Sequence, residues 1–333
     1  MRSDPTFVRG RLQLADGRRL TYSDTGPRDG DPVVYCHGAI GTPLGAAVDL
    51  GTIARELGVR YIAISRPGIG GSDPAPGRTV LDFAADVREL VDALELERLA
   101  VVGVSAGGPY ALAVARELDT RVIRVALCSS LSPLCAPHRT PGMQRRIRFA
   151  LSGLAAAPGL CAVAGDLAVP VIRRHPKLLS RVIAAHAAPG ERVLLQRADE
   201  RLAASTSFLD AARDGVRGMI EDYLVYSRPW GFSASQVAAE VHLWHGLEDP
   251  LVPVEHALQL AVSLPRCRVF LDPGEGHHFF RRRLAKILAV LVGREDDPGE
   301  EVVTTLASMR GRAGRRSRSY AASPRSSSVS ARC

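Results

Sequence analysis

The stretch Val101–Ala111 of this 333-residue chain reads V-V-G-V-S-A-G-G-P-Y-A. Gly103, Ser105 and Gly107 make up G-x-S-x-G, the spacing at which a serine can stand on a sharp turn between a strand and a helix. The apolar run Leu99–Val104 ends directly at Ser105, and helical periodicity starts at Tyr110. A serine on such a turn adopts a strained backbone conformation, and glycines at 103 and 107 leave room for the backbone packed beside it. Orphan N–H groups at the start of the next helix favour negative charge near the hydroxyl, and Pro109 suits that first turn. A hydroxyl nucleophile also needs a base, and the base needs an acid to orient it. Two later segments offer both: His245-Gly246-Leu247-Glu248-Asp249-Pro250 and Gly274-Glu275-Gly276-His277-His278, each just past an apolar run. Serine, acid and imidazole therefore follow one another in chain order. Glu248 adjoins Asp249 and His278 adjoins His277; adjacent side chains of an extended segment point to opposite sides, so one of each pair can serve.

The elements that must position these groups are legible in the hydrophobic pattern. Phe7–Leu14 and Arg19–Asp24 alternate around Ala15-Asp16-Gly17, which signals a hairpin. Val33–Cys36, Arg60–Ser65, Leu99–Val104, Val122–Cys128, Val241–Trp244 and Cys267–Leu271 are short, largely apolar runs, as expected of strands buried on both faces of a parallel sheet. Helical periodicity fills Leu50–Leu57, Val80–Leu94, Tyr110–Leu118 and His256–Leu264. The alternation predicts an α/β fold with a doubly wound, mostly parallel sheet, whose ligand sites lie past the carboxyl ends of the strands. Residues 132–230 lack buried-strand runs and carry Ala, Leu and Arg at helical spacing, so a helical insertion is expected there. The predicted division is core over 1–131, insertion over 132–230, core over 231–293, and a disordered basic tail over 294–333. A last helix is expected near Arg283–Val292.

Hydrophobic residues at 46% and charged residues at 23% are sufficient for a folded core. The net charge of +8 is concentrated at one end: residues 304–333 hold seven Arg and no acid, which leaves about +1 on the other 303. The tail reads as a solvated extension without a specific nucleic-acid partner, since its Arg are spread out and Tyr320 is its one aromatic residue. No run reaches the roughly 18 apolar residues of a membrane span; 149–172 is interrupted by Pro158, Asp166 and Pro170. Six scattered cysteines without a C-x-x-C pair and an N-terminus without an apolar secretory segment fit a cytoplasmic protein. No H-E-x-x-H occurs and the histidines are not spaced as ligands, so neither a metal nor a cofactor is expected. The carboxylates Asp210, Asp214, Glu221 and Asp222 read as a solvated helix face paired with Arg213 and Arg217.

On His37-Gly38, Arg66-Pro67-Gly68-Ile69-Gly70-Gly71-Ser72-Asp73, Gly103–Gly108, His245–Asp249 and Gly276-His277, the chain resembles the α/β-hydrolases that carry a helical cap, over roughly residues 7–292. The segment Arg228–Phe232 is similar to one in a bacterial subgroup and does not narrow the reaction. The resemblance implies an eight-stranded sheet with the cap inserted after the sixth strand. It also implies Ser105 as nucleophile, Asp249 as acid and His277 as base. The oxyanion hole is expected from the backbone N–H groups of Ala106 and Ala39. Here the chain departs from its subgroup: Ala39-Ile40-Gly41-Thr42-Pro43 puts the proline two positions late. His37 is expected to pack the loop rather than shuttle protons.

The function so implied is a cofactor-free serine hydrolase acting on an ester-like acyl substrate, expected to be apolar from the Ala- and Leu-rich cap. Serine at the turn disfavours alkyl transfer, which needs a carboxylate nucleophile. Amide, carbon–carbon and perhydrolytic chemistry use the same three residues. The reading from another class is a ligand-binding or interaction protein without turnover, for which a strained serine would serve no purpose.

Overall fold

The computed structural model describes residues 8–42, 50–134 and 143–295. Among the described residues the two alternating segments and the six apolar runs form eight strands: β1 Val8–Gln13, β2 Arg19–Thr25, β3 Asp31–Cys36, β4 Val59–Ile64, β5 Leu99–Val104, β6 Val122–Cys128, β7 Glu240–Gly246 and β8 Cys267–Asp272. They join in one sheet of order β1-β2-β4-β3-β5-β6-β7-β8. β1 and β2 form the expected hairpin, and β2 runs antiparallel to β4; every later pairing is parallel. All six residues of β5 are buried, as the continuous apolar run requires of a central strand covered on both faces.

Helices cover both faces. On one side α1 (Leu50–Glu56) and α11 (Phe280–Leu291) contribute to a core around Val33, Tyr61, Val102 and Trp244. On the other, α2 (Val80–Ala93), α3 (Gly108–Glu117) and α10 (Val254–Ser263) pack on Val34, Ile62, Val101 and Leu243. α2 starts on a reciprocal cap: Thr79 accepts from the Asp82 N–H, and the Asp82 carboxylate accepts from the Thr79 N–H at 2.6 Å. α3 is buried over most of its length, so Ser105, just ahead of it, sits on a rigid support.

Among the described residues between β6 and β7 lie six α-helices: α4 Arg145–Ala156, α5 Pro158–Arg174, α6 Lys177–Ala185, α7 Pro189–Gln196, α8 Ala198–Ala211 and α9 Arg217–Tyr226. This is the helical insertion after the sixth strand. Residues 135–142, and the expected tail from 296 onward, lie outside the described residues.

Two expectations need correction. α11 starts at Phe280, three residues before the expected Arg283; the loop after β8 is short, which brings Phe280 and Arg281 to the site described below. The four carboxylates also do not share a solvated face. Glu221 does pair with Arg217 at 3.5 Å, and Asp214 lies 4.0 Å from Arg213. Asp210 lies 4.0 Å from Arg213 but is largely buried and pairs more closely with Arg9, at 2.8 Å across the chain, and Asp222 is fully buried. Its partners come from the sheet side, a tertiary contact that helical spacing does not encode.

Candidate active site

β5 delivers Ser105 into a 3-10 turn, Ser105–Gly107, that leads straight into α3. Ser105 has φ +55°, a left-handed conformation that side chains rarely adopt. Packing explains the flanking glycines. A Cβ at Gly107 would lie 2.1 Å from the Cys36 carbonyl oxygen, and one at Gly103 would lie 2.6 Å from the Ala111 Cβ. The turn exists because backbone from β3 and side chain from α3 occupy the space that other residues would need.

The loops after β7 and β8 bring Asp249 and His277 together. Asp249 Oδ2 lies 2.8 Å from His277 Nδ1. Its other oxygen accepts from the N–H groups of Leu251 and Val252 at 2.9 and 2.8 Å. Asp249 is buried, whereas Glu248 is exposed, which separates the two neighbouring acids. Burial by itself would push the Asp249 carboxyl up; the His277 charge and hydrogen bond, His245 and the Val252 N–H outweigh it and hold the group below its ordinary value. For His277 burial favours the neutral ring, but the charge and hydrogen bond of Asp249, with Glu191 behind, raise its pKa above 6.5. The neighbouring His278 is pushed down to about 3 by burial and by the charges of His277 and Arg281.

The loop after β3 is held by a buried polar network. Arg66, fully buried, donates from Nη2 to the Gly38 carbonyl at 3.0 Å and from Nη1 to the His37 carbonyl. His37 Nδ1 lies 2.8 Å from the same Gly38 oxygen, and His37 Nε2 accepts from the Arg66 N–H at 3.3 Å. These roles require a neutral ring with its proton on Nδ1. Burial and the Arg66 charge lower the His37 pKa to about 3, in agreement with that state. His37 is therefore a packing and orienting residue, as its sequence context suggests. Asp222 on α9 completes the network: it accepts from Arg66 Nε at 2.9 Å, Arg78 Nη2 at 2.7 Å and Tyr110 Oη at 2.6 Å.

Ser105, His277, Ala39 and Ala106 line one cavity of about 350 Å³. That volume suits a small organic ligand. Leu131 and Leu134 from the core and Met143, Ile147, Leu151 and Ile183 from the insertion give it largely apolar walls, and the Tyr223 and Tyr226 side chains also reach it. Asp249 stands behind His277, away from the cavity wall.

Two features escape the sequence reading. Glu191, on α7, is buried; its Oε1 accepts the His278 N–H, and burial pushes its carboxyl up. Nothing in the pattern around 191 separates it from a surface acid in a helix's first turn. The buried Arg66–Asp222 pair is the other: Asp222 follows Glu221 on α9, and nothing in the local pattern separates the two acids.

Comparison with known proteins agrees with this architecture. The chain is 40% identical over 135 residues to the non-heme chloroperoxidase of Streptomyces lividans, covering 39% of this chain and 48% of that protein. It is 35% identical over 126 residues to the 2-hydroxy-6-oxo-2,4-heptadienoate hydrolase of Pseudomonas putida, covering 37% and 45%. Each match therefore spans less than half of the curated relative. Among solved structures, a hydrolase from Pseudomonas aeruginosa superposes with a TM-score of 0.65 at 18% identity, over 86% of this chain and 98% of that one. A bromoperoxidase from Bacillus anthracis gives 0.63 at 21% identity, over 87% and 100%. Residues 31–281 match the family described as the alpha/beta hydrolase fold, and the chain belongs to that family.

Proposed function

We propose that the protein is a serine hydrolase acting on an ester-like substrate with an apolar acyl group. The observation that carries this reading is the pairing of a strained Ser105 with an Asp249-held His277 on one cavity. With Nδ1 bonded to Asp249, the ring presents Nε2 as the base. His277 takes the Ser105 proton as Oγ attacks the carbonyl, and Asp249 steadies the imidazolium that results. The N–H groups of Ala106 and Ala39 receive the charge that develops on the carbonyl oxygen. His277 then returns the proton to the leaving alcohol, and an acyl-Ser105 remains. Water, deprotonated by His277, attacks that acyl carbon and frees the acid and Ser105.

The network at Arg66 gives the Ala39 donor its direction. The Gly38 carbonyl and the Ala39 N–H belong to one planar trans peptide, so they point in opposite directions. Arg66 and His37, both bonded to the Gly38 oxygen, fix the plane from behind and leave the N–H facing away from them. We assign α4–α9 as a cap over the site, because Met143, Ile147, Leu151 and Ile183 supply apolar wall that the core does not.

Relatives named as a non-heme chloroperoxidase and a 2-hydroxy-6-oxo-2,4-heptadienoate hydrolase keep perhydrolytic and carbon–carbon chemistry as the second reading. Turnover of p-nitrophenyl esters of increasing chain length tests the first. Activity that rises with acyl length and vanishes in Ser105→Ala supports it. Turnover of a vinylogous diketone or peracid formation without any esterase activity would move the assignment to the second.

A further inference from the structure

Among the described residues the large apolar side chains left exposed are gathered mainly on the insertion, and more of them lie on α5 than on any other helix. Along α5, Leu160, Val163, Leu167 and Val171 are 71%, 59%, 73% and 50% exposed. At 3.6 residues per turn these four occupy a stripe about 80° wide. The opposite face is also apolar: Ala162 and Val169 are buried against Val216 and Ile220. A helix apolar on both faces normally lies inside a core or against lipid, and among the described residues only one face of α5 meets protein. On α4, Phe149 is 82% exposed, while Ile147 and Leu151 line the cavity.

Charge frames this patch with one sign. Arg145, Arg146 and Arg148 precede it, Arg173, Arg174 and Lys177 follow it, and all six are exposed. Among the described residues none of the six forms an ion pair. The single acid between residues 143 and 190 is Asp166, which accepts the Val216 N–H at 2.7 Å.

We propose that this face docks on an anionic lipid bilayer, with the stripe entering the boundary between headgroups and acyl chains and the cationic rim meeting the headgroups. Charge selects this occupant over a second copy of the chain. A two-fold dimer on the patch would set two unpaired cationic rims against each other, whereas anionic headgroups neutralise both ends. The helices lie on the bilayer and do not cross it. Among the described residues no single helix is long and apolar enough to span, and α4 and α5 reach that length only together, bent by 109°. If the proposed acyl-substrate reading holds, docking also sets the α4 wall of the cavity against the lipid from which such a substrate would come.

Flotation of the full chain with phosphatidylcholine vesicles, with and without phosphatidylglycerol, tests this without any need for turnover. The protein should float with the mixed vesicles, weakly with pure phosphatidylcholine, and less as salt rises. The double variant Leu160→Glu/Leu167→Glu should lower the bound-to-free ratio at least about tenfold. Its circular dichroism spectrum and melting temperature should match those of the wild type, which shows that it folds. Should that variant misfold, Arg173→Glu/Arg174→Glu should weaken binding to the mixed vesicles alone. Binding retained by both variants would assign the attraction elsewhere, such as to the Arg-rich tail, and overturn the proposal. So would a wild-type protein that ignores vesicles but sediments as a dimer that Leu160→Glu/Leu167→Glu separates.

Discussion

Asp222 Oδ2 lies 2.9 Å from Arg66 Nε, and neither side chain has any exposed surface. One residue belongs to the last helix of the insertion and the other to the loop after β4, so this pair ties the two halves of the molecule together. Removing one member of a buried pair leaves the other charge without compensation, at a cost of about 3–5 kcal/mol. Asp222→Ala should therefore lower the unfolding free energy read from a urea titration by about that amount. If Arg66 orients the Ala39 peptide, the surviving folded enzyme should lose kcat while KM changes little. A loss confined to KM would place the pair's influence on the pocket walls instead.

Activity requires neutral His277, so kcat/KM should rise with pH through the pKa of that ring. Asp249 and Glu191 raise that pKa, so the midpoint of the acid limb should lie above the 6.5 of an ordinary imidazole. The sign for Glu191 follows: as a negative charge it favours the protonated ring, and Glu191→Gln should move the limb to lower pH. A pH–rate series on both proteins checks this; a limb shifted upward in the variant would contradict the assignment.

The two adjacent histidines should separate cleanly. His277→Ala should cut kcat/KM by roughly 10⁴-fold or more, and combining it with Ser105→Ala should add little, because the groups act as a unit. His278 is not bonded to Asp249, and burial keeps its ring neutral with a pKa near 3. His278→Ala should cost less than about tenfold, or 1.4 kcal/mol. Steady-state kinetics of the three variants decides between the rings.

Gly107→Ala would direct its Cβ to 2.1 Å from the Cys36 carbonyl oxygen, and that oxygen belongs to β3 and cannot swing aside. Overpacking of this kind costs about 1–3 kcal/mol or more. The variant should melt earlier and lose activity, since the serine turn must shift to relieve the contact. Thermal melts with parallel ester turnover test both effects.

The sheet and the serine turn were legible because their signals are local. Leu99–Val104 is apolar without interruption since β5 is covered on both faces, and Gly103 and Gly107 mark the turn by their spacing. The resemblance to capped hydrolases singles out Asp249 and His277 from their neighbours; Asp249 is buried and bonded to His277, whereas Glu248 is exposed. The insertion was opaque for the opposite reason. Asp222 meets Arg66 and Arg78 across separations of 156 and 144 residues, and no periodicity on α9 reports such contacts. Glu191 is similar: its partner is the His278 N–H, 87 residues away. On α5 helical spacing alone does not tell the exposed Leu160 and Leu167 from the buried Ala162 and Val169; the fold does.

The claim on which the account depends is that Ser105 is an activated nucleophile. Intact-mass analysis after treatment with a fluorophosphonate measures this directly, because the reagent phosphonylates a serine only when a base withdraws its proton. One adduct per native chain is expected, mapped to Ser105 by peptide sequencing, lost on heat denaturation and absent from both Ser105→Ala and His277→Ala. A native, folded chain that takes up no adduct, or one still labelled in Ser105→Ala, would contradict it.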